Sequence, residues 1–266
     1  MINSALLVGF GEVGQAHYKN LSKVYPYDIF YKDKGKEIYA HDGSDLSLIV
    51  KDFELLLIAT QCDPANMEPF YKMVMEYTEK YQPLYIDILT TTPCGTTENL
   101  EVLIPGVKIT KSTIRGMHPY LDKFLCDIPK HIGGQSAEEM KEYYEKAGIP
   151  CICHAKSRAT ELFHVLNNSD YGVAIMKAKE NYDLCRKYGI SYMEWIKYKQ
   201  SNNDGFLKAG YPDKLSPILT PPDGRIGGHC VNYSATTIPE TQRGPLMDML
   251  ANYNNKFNAP IKSDEN

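Results

Sequence analysis

The stretch LLVGFGEVG, residues 6 to 14, constrains this chain more than any other. An apolar run leads straight into Gly9-Phe10-Gly11-Glu12-Val13-Gly14, and a helix-like segment at 15–24 follows. Strand, tight glycine turn and helix is the context in which a GxGxxG pattern carries meaning. Gly9 permits the turn, Gly11 lets a diphosphate approach the backbone, and Gly14 lets the helix pack close to the strand. The helix N-terminus then offers free N–H groups and the positive end of its dipole to phosphates. Asp33 ends the next apolar run, IFYKD, about 20 residues on, where a carboxylate binds a ribose 2′-hydroxyl. That acid favours NAD over NADP because it repels a 2′-phosphate, a preference softened by the flanking Lys32 and Lys34. A glycine turn in an unrelated strand–helix unit is the plainer alternative. Position, glycines and acid together favour the nucleotide.

The rest of the first half fits an α/β chain. Apolar runs at 5–9, 27–31, 46–49, 55–59, 84–88 and 107–109 have the length of buried strands. Helical spacing falls between several of them, as at 66–81, where Met67, Phe70, Met73, Val74 and Tyr77 share a face. This alternation predicts a Rossmann-type, doubly wound parallel sheet. Ligands of such sheets sit outside the carboxyl ends of the strands, so Thr60, Gln61 and Asp63, and the TTTPCGTT segment at 90–97, are expected to face the cofactor.

Pro119 and Pro129 interrupt the pattern, HIGG at 131–134 opens a helix over 136–147, and Ser136 with Glu139 suggests a capping box. A strand, CICH at 151–154, closes the first domain. Cys151 and Cys153 point one way and His154 the other, which reads as core rather than a metal site. A long helix over 158–188 stops at Gly189, a second helix covers 192–199, a Pro/Gly/Asn/Asp-rich loop spans 201–228, and 245–257 is helical again. The expected division is an NAD-binding domain at 1–155 and a smaller α-helical domain at 156–266.

Charge and cysteine content narrow the partners. Twenty-nine basic against 33 acidic residues give a net charge of −4, with no basic block for nucleic acid or a membrane surface. The apolar runs are too short to span a bilayer. The N-terminus lacks a basic stretch before its apolar run, which reads as a first strand rather than a signal peptide. Seven scattered cysteines, an odd number, read as reduced thiols of a cytoplasmic protein.

Three further places could carry chemistry. GRIGGHC, 224–230, surrounds Cys230 with glycines whose N–H groups could stabilise a thiolate, although an inert buried thiol fits the loop alone better. Glu161, His164 and Asn168 share one face of the long helix, where a base and an amide could handle a proton and an oxyanion; a solvated face fits the same spacing. His118, in GMHPY, could be a general acid or base, or a loop histidine with a structural hydrogen bond.

GFGEVG, TTTPCGTT, TELFHVLNN and GRIGGHC, in that order from residue 1 to about 232, resemble the nucleotide-sugar dehydrogenases, the UDP-glucose and UDP-N-acetylmannosamine dehydrogenase group. The resemblance implies oxidation of a sugar primary alcohol to the acid by two hydride transfers to NAD. It implies that Cys230 holds the aldehyde as a thiohemiacetal and then a thioester. Asn168 matches the asparagine near the reacting oxygen, and Thr91 the threonine of the loop holding water and cofactor. A homodimer around the long central helix is also implied.

Three departures matter. The family carries a lysine where this chain has His164. It has an acidic residue where this chain has Tyr120. It continues for a whole nucleotide-binding domain, whereas fewer than 40 residues follow Cys230 here, so a smaller or differently bound substrate is expected. GMHPY is also similar to prephenate dehydrogenase and other two-domain β-hydroxyacid dehydrogenases, which make one hydride transfer with a histidine or lysine base. The expectations are therefore ordered: a nucleotide-sugar-type oxidation using Cys230, with Asn168 and His164 on the oxyanion; a single oxidation with His118 or His164 as base; and a dinucleotide-binding protein without catalysis.

Overall fold

The computed structural model describes residues 2–26, 28–33, 38–39, 52–221, 224–226 and 231–257. Two compact units emerge, Met1–Val165 and Leu166–Asn266. The boundary falls inside a 31-residue helix, so the first turns of that helix belong with the sheet.

In the first unit, β1 (Ala5–Val8), β2 (Ile29–Lys32), β3 (Ile38–Tyr39), β4 (Leu55–Ile58), β5 (Tyr85–Ile88), β6 (Lys108–Ser112), β7 (Lys130–Gly133) and β8 (Cys151–His154) form one sheet. Their order is β3-β2-β1-β4-β5-β6-β7-β8. The order reverses between β1 and β4, and that crevice is where doubly wound sheets bind ligands. Strands β2, β1, β4, β5 and β6 run parallel.

Period-two burial on both faces explains the continuous apolar runs. Ala5, Leu7, Leu55 and Leu57 enter one core, with residues of α1 (Glu12–Leu21), α4 (Leu121–Asp127) and α5 (Ala137–Lys146). Leu6, Val8, Leu56 and Ile58 enter the other, with α2 (Glu68–Tyr81) and α3 (Thr96–Leu103).

The structure departs from the sequence expectations at several elements. The sheet is mixed: β2–β3 and β6–β7 pair antiparallel. Residues 130–133, whose sequence suggests a lead-in to a helix, are strand β7. Its glycine is there for packing, since a Cβ on Gly133 would lie 2.3 Å from Thr160 Oγ1 and 2.7 Å from the Lys156 carbonyl oxygen. Helices α3 and α4 have no counterpart in the sequence expectations. Ser136 is the N-cap of α5 but makes no side-chain cap bond, and Glu139 pairs with Lys108 instead, so no capping box forms. The strand expected at 46–49 lies outside the described residues.

The second unit contains the rest of α6 (Ser157–Lys187), then α7 (Tyr192–Lys208), α8 (Val231–Thr236) and α9 (Pro245–Asn252). Ile175, Ile226, Ala235, Leu250 and Ala251 form its core. Helix α7 runs through Asn202, Asn203, Asp204 and Gly205, whose composition suggests a loop. Asn203 escapes its poor helix propensity through tertiary bonds, donating to the Ser216 carbonyl (2.9 Å) and accepting from the Ser216 N–H (3.0 Å). The helix stops at Gly210, whose φ is 84°.

Candidate functional site

The glycine turn is built as the motif requires. Gly9 has φ 99°, and a Cβ there would meet the Ala59 carbonyl carbon and oxygen at 2.8 Å. A Cβ on Gly14 would lie 2.1 Å from the Gly9 carbonyl oxygen. Gly11, the N-cap of α1, has nothing within 4 Å of its missing Cβ. Two glycines are thus pinched by the fold, and the third faces open space at a helix N-terminus, a kind of place that can receive a phosphate group. Phe10 stacks on Tyr31 (centroids 3.8 Å apart) and meets Tyr18 edge-on (5.6 Å). Val13 is half-buried against the core, and its carbonyl accepts from His17 Nδ1 (2.8 Å). Asp33 is exposed, one residue past the Val8–Lys32 register pair, which places it beside Gly9.

The loops after β4 and β5 are tied together. Thr90 Oγ1 donates to the Thr60 carbonyl (2.5 Å), and the Cys62 thiol donates to the Thr91 carbonyl (3.3 Å). Thr91 Oγ1 lies 2.8 Å from His164 Nε2. Glu161, one turn earlier on α6, accepts from Gly95 N–H (2.6 Å), Thr97 N–H (2.9 Å) and Thr97 Oγ1 (2.8 Å). Glu161 is 1% and His164 9% exposed, so their stripe is not a solvated face. The helix period brings these residues to the site, but the capping role of Glu161 is not legible in the sequence, because its donors lie 64 and 66 residues away.

Burial, reinforced by Lys111, Lys130 and Arg115, pushes the His164 imidazole down to about 3. His164 is therefore neutral at pH 7 and is a poor proton acceptor, which argues against its use as a general base. His17 is likewise held well below 6.5 by burial and by Lys130. An unfolded chain binds more protons than the folded one as pH falls below about 6.5, so the stability from both imidazoles is full above that pH and lost on acidification. Each contributes a slope of up to about 1.4 kcal/mol per pH unit. Urea melts between pH 7 and 4 check this. His164→Asn is expected to flatten the acid slope, and an unchanged slope contradicts the assignment.

A second buried polar group lies on the α1/α5 side of the sheet. Asp87 accepts from Thr110 Oγ1 (2.9 Å), Ser112 Oγ (2.5 Å) and Tyr144 Oη (2.6 Å). Lys130 Nζ lies 4.8 Å above the Tyr144 ring, donates to the Thr113 carbonyl (3.2 Å) and sits 2.9 Å from His17 Nε2. Because His17 Nδ1 faces a carbonyl and so carries the proton, Nε2 accepts from Lys130. Lys111 Nζ donates to the carbonyls of Ile88 (3.1 Å) and Ser112 (2.9 Å). Burial pushes both lysines down to about 8, against the attraction of Glu161 and then Asp87 for Lys111 and of Asp87 for Lys130.

His118 Nδ1 is 2.6 Å from Glu12 Oε2, both exposed, so this loop histidine sits at the first turn of α1. Asn168 Nδ2 donates to Ser234 Oγ (2.9 Å) within the second unit. Cys230, with most of GGHC, lies outside the described residues. The Cys151 and Cys153 thiols donate to the carbonyls of Ile149 and Ala137, and burial pushes them up to about 12 and 11. Among the described residues no group of three or more metal-ligating side chains occurs, the cysteines are free thiols, and no helix is long and apolar enough to cross a membrane.

No protein-family model and no curated protein sequence matches the chain. Solved structures do. UDP-D-ManNAc dehydrogenase from Pyrococcus horikoshii superposes with a TM-score of 0.76 at 17% identity, over 95% of this chain and 68% of that one. 3-Hydroxyisobutyrate dehydrogenase from Mycobacterium tuberculosis gives 0.69 at 15% identity, over 97% and 94%. UDP-N-acetyl-mannosamine dehydrogenase from Staphylococcus aureus gives 0.68 at 15% identity, over 95% and 68%. The chain has the Rossmann-type fold, followed by a helical region, that these nucleotide-sugar and hydroxyacid dehydrogenases share.

Proposed function

We propose that this protein is an NAD-dependent oxidoreductase acting on the CH–OH group of a small molecule. The observation that carries the reading is the cradle at Gly11: open space at a helix N-terminus, between two glycines whose Cβ atoms the fold would not admit. The diphosphate rests on the N–H groups from Gly11 onward, and Asp33 receives the adenosine ribose. The adenosine lies on the β2 side of the crevice, so the other half of the dinucleotide lies over the loops holding Thr60 and Thr91. NAD, when bound, accepts a hydride from the substrate carbon.

The chain's own residues prepare that transfer. Thr91 Oγ1 is held by His164, whose neutral imidazole fixes the hydroxyl without taking its proton. His118 stands near the diphosphate cradle through Glu12. The resemblance assigns Asn168 to the oxyanion and Cys230 to covalent capture of the aldehyde, which a second hydride transfer needs, since a free aldehyde has no hydride-donating tetrahedral form. Cofactor selection for NAD follows from the exposed carboxylate of Asp33.

A second reading, one hydride transfer with His118 as base and Cys230 incidental, draws support from the near-complete coverage of the 3-hydroxyisobutyrate dehydrogenase. The two separate on stoichiometry. Across a panel of sugar alcohols and 3-hydroxyacids, the first expects two NADH per alcohol consumed, falling to at most one in Cys230→Ser. The second expects one NADH in both proteins and severe loss in His118→Ala. No turnover and no NADH binding would end both.

The homodimer expected through the long helix belongs to the same proposal. Helix α6 exposes Tyr171, Tyr182 and Leu184, and α7 buries none of its residues. A helix with apolar side chains in water gains by covering them. Light scattering at micromolar concentration tests it, and a monomer mass contradicts it.

A further inference from the structure

The first turns of α6 grip the β5–α3 connection at three places, each three residues apart. Arg158 pairs with Glu98, Glu161 binds Gly95 and Thr97, and His164 meets Thr91. Gly95, at φ 94°, is the N-cap of α3 and has no side chain with which to cap it. A helix start leaves N–H groups without partners. Glu161 answers two of them and a hydroxyl from a separate helix, with both carboxylate oxygens engaged and only 1% of the residue exposed. The strand order sets this connection across the crevice from Asp33, with β1 and β4 between β2 and β5.

Resting on the dinucleotide reading above, we infer that Glu161 is a positioning residue for the nicotinamide half of the cofactor: by capping α3 from α6 it fixes the loop that carries Thr91. Glu161 touches neither substrate nor cofactor in this assignment. It acts through Gly95 and Thr97 on the loop, whose other end His164 holds. A carboxamide at this position turns one acceptor into an N–H donor facing N–H or O–H donors, so Glu161→Gln loosens the loop while nearly preserving shape.

A purely structural carboxylate would affect every ligand alike, whereas a positioning residue affects only ligands that reach the loop. NADH reaches it; ADP-ribose, lacking the nicotinamide ring, ends short of it. Titrations of the full-length wild type and Glu161→Gln with each ligand therefore decide the matter. The expected result is an NADH Kd raised about tenfold, with the ADP-ribose Kd unchanged within about twofold. Equal loss for both ligands, or no loss for either, overturns the assignment. Thr97→Val removes one of the three donors and leaves Glu161 in place. It is expected to weaken NADH about threefold with ADP-ribose unaffected. If Glu161→Gln does not fold, the presence or absence of that split in Thr97→Val decides for or against the assignment. A wild type that binds neither ligand overturns the dinucleotide reading itself; one that binds both, without a split in the variants, overturns only the role of Glu161.

Discussion

Gly11→Ala is expected to leave the protein folded and to cut NADH affinity by about a hundredfold, roughly 2.8 kcal/mol. Gly11 has φ −71° and ψ −170°, a conformation alanine adopts without strain, and its Cβ would meet nothing within 4 Å. Removing a glycine from the unfolded chain stabilises by about 0.4–1 kcal/mol. Alanine is a poorer N-cap by a comparable amount, about 1 kcal/mol. The two nearly cancel, so the melting curve should stay within about 1 kcal/mol of wild type. The methyl group instead fills the space that a diphosphate must enter. Gly14→Ala is the contrasting case. Its Cβ would lie 2.1 Å from the Gly9 carbonyl oxygen, so stability and binding fall together. Thermal melts with and without NADH separate the two variants. Unaltered NADH binding by a well-folded Gly11→Ala protein would show that the turn holds no diphosphate.

The largest loss of stability is expected at Asp87. Asp87→Ala leaves the hydroxyls of Ser112 and Tyr144 without this acceptor, leaves Thr110 only its long bond to the Ile86 carbonyl, and removes the main carboxylate attraction on the buried Lys130. Breaking a buried ionic group by removing one member costs about 3–5 kcal/mol. Against a total stability of about 5–15 kcal/mol, that is a large fraction. The midpoint of thermal unfolding should drop by roughly 10 °C. Lys130→Met alone is expected to destabilise as well, since it leaves His17 Nε2 and the Thr113 carbonyl without their donor. The double variant should lose less than the sum of the two, because each single change strands the other's charge. Strict additivity in urea melts would mean that Asp87 and Lys130 act independently.

Part of this site is open to a reading of residues alone. The glycine turn and Asp33 declare themselves locally, because a GxGxxG needs only its own backbone and the neighbouring strand. The threonine-rich loop at 90–97 and the stripe with His164 follow from loop position and helical period, both short-range signals, whereas Thr91 is singled out within that loop only by the family resemblance. Glu161 shares that stripe, yet what it binds cannot be foreseen, since Gly95 and Thr97 meet it only after α3 and α6 pack. The same holds for Lys130. Residues 131–134 read as the opening of a helix, but β7 pairs with β6 and carries the preceding Lys130 into the core among Tyr144, His17 and the Thr113 carbonyl. The run at 202–205 reads as loop because asparagine and glycine disfavour helices. In the folded chain it is helical, with Asn203 bonded to the Ser216 backbone.

Read by itself, the chain's order of residues determined the alternation of strands and helices, the glycine bend after the first strand and the acid beside it. Those are set by side-chain period and backbone freedom over a few neighbouring positions. Only the tertiary structure decided that β7 reverses direction, that a glutamate from α6 caps α3, and that two lysines and an aspartate share the interior. Such arrangements depend on contacts between groups far apart in sequence, where the desolvation of each charge is offset by partners that no local pattern records.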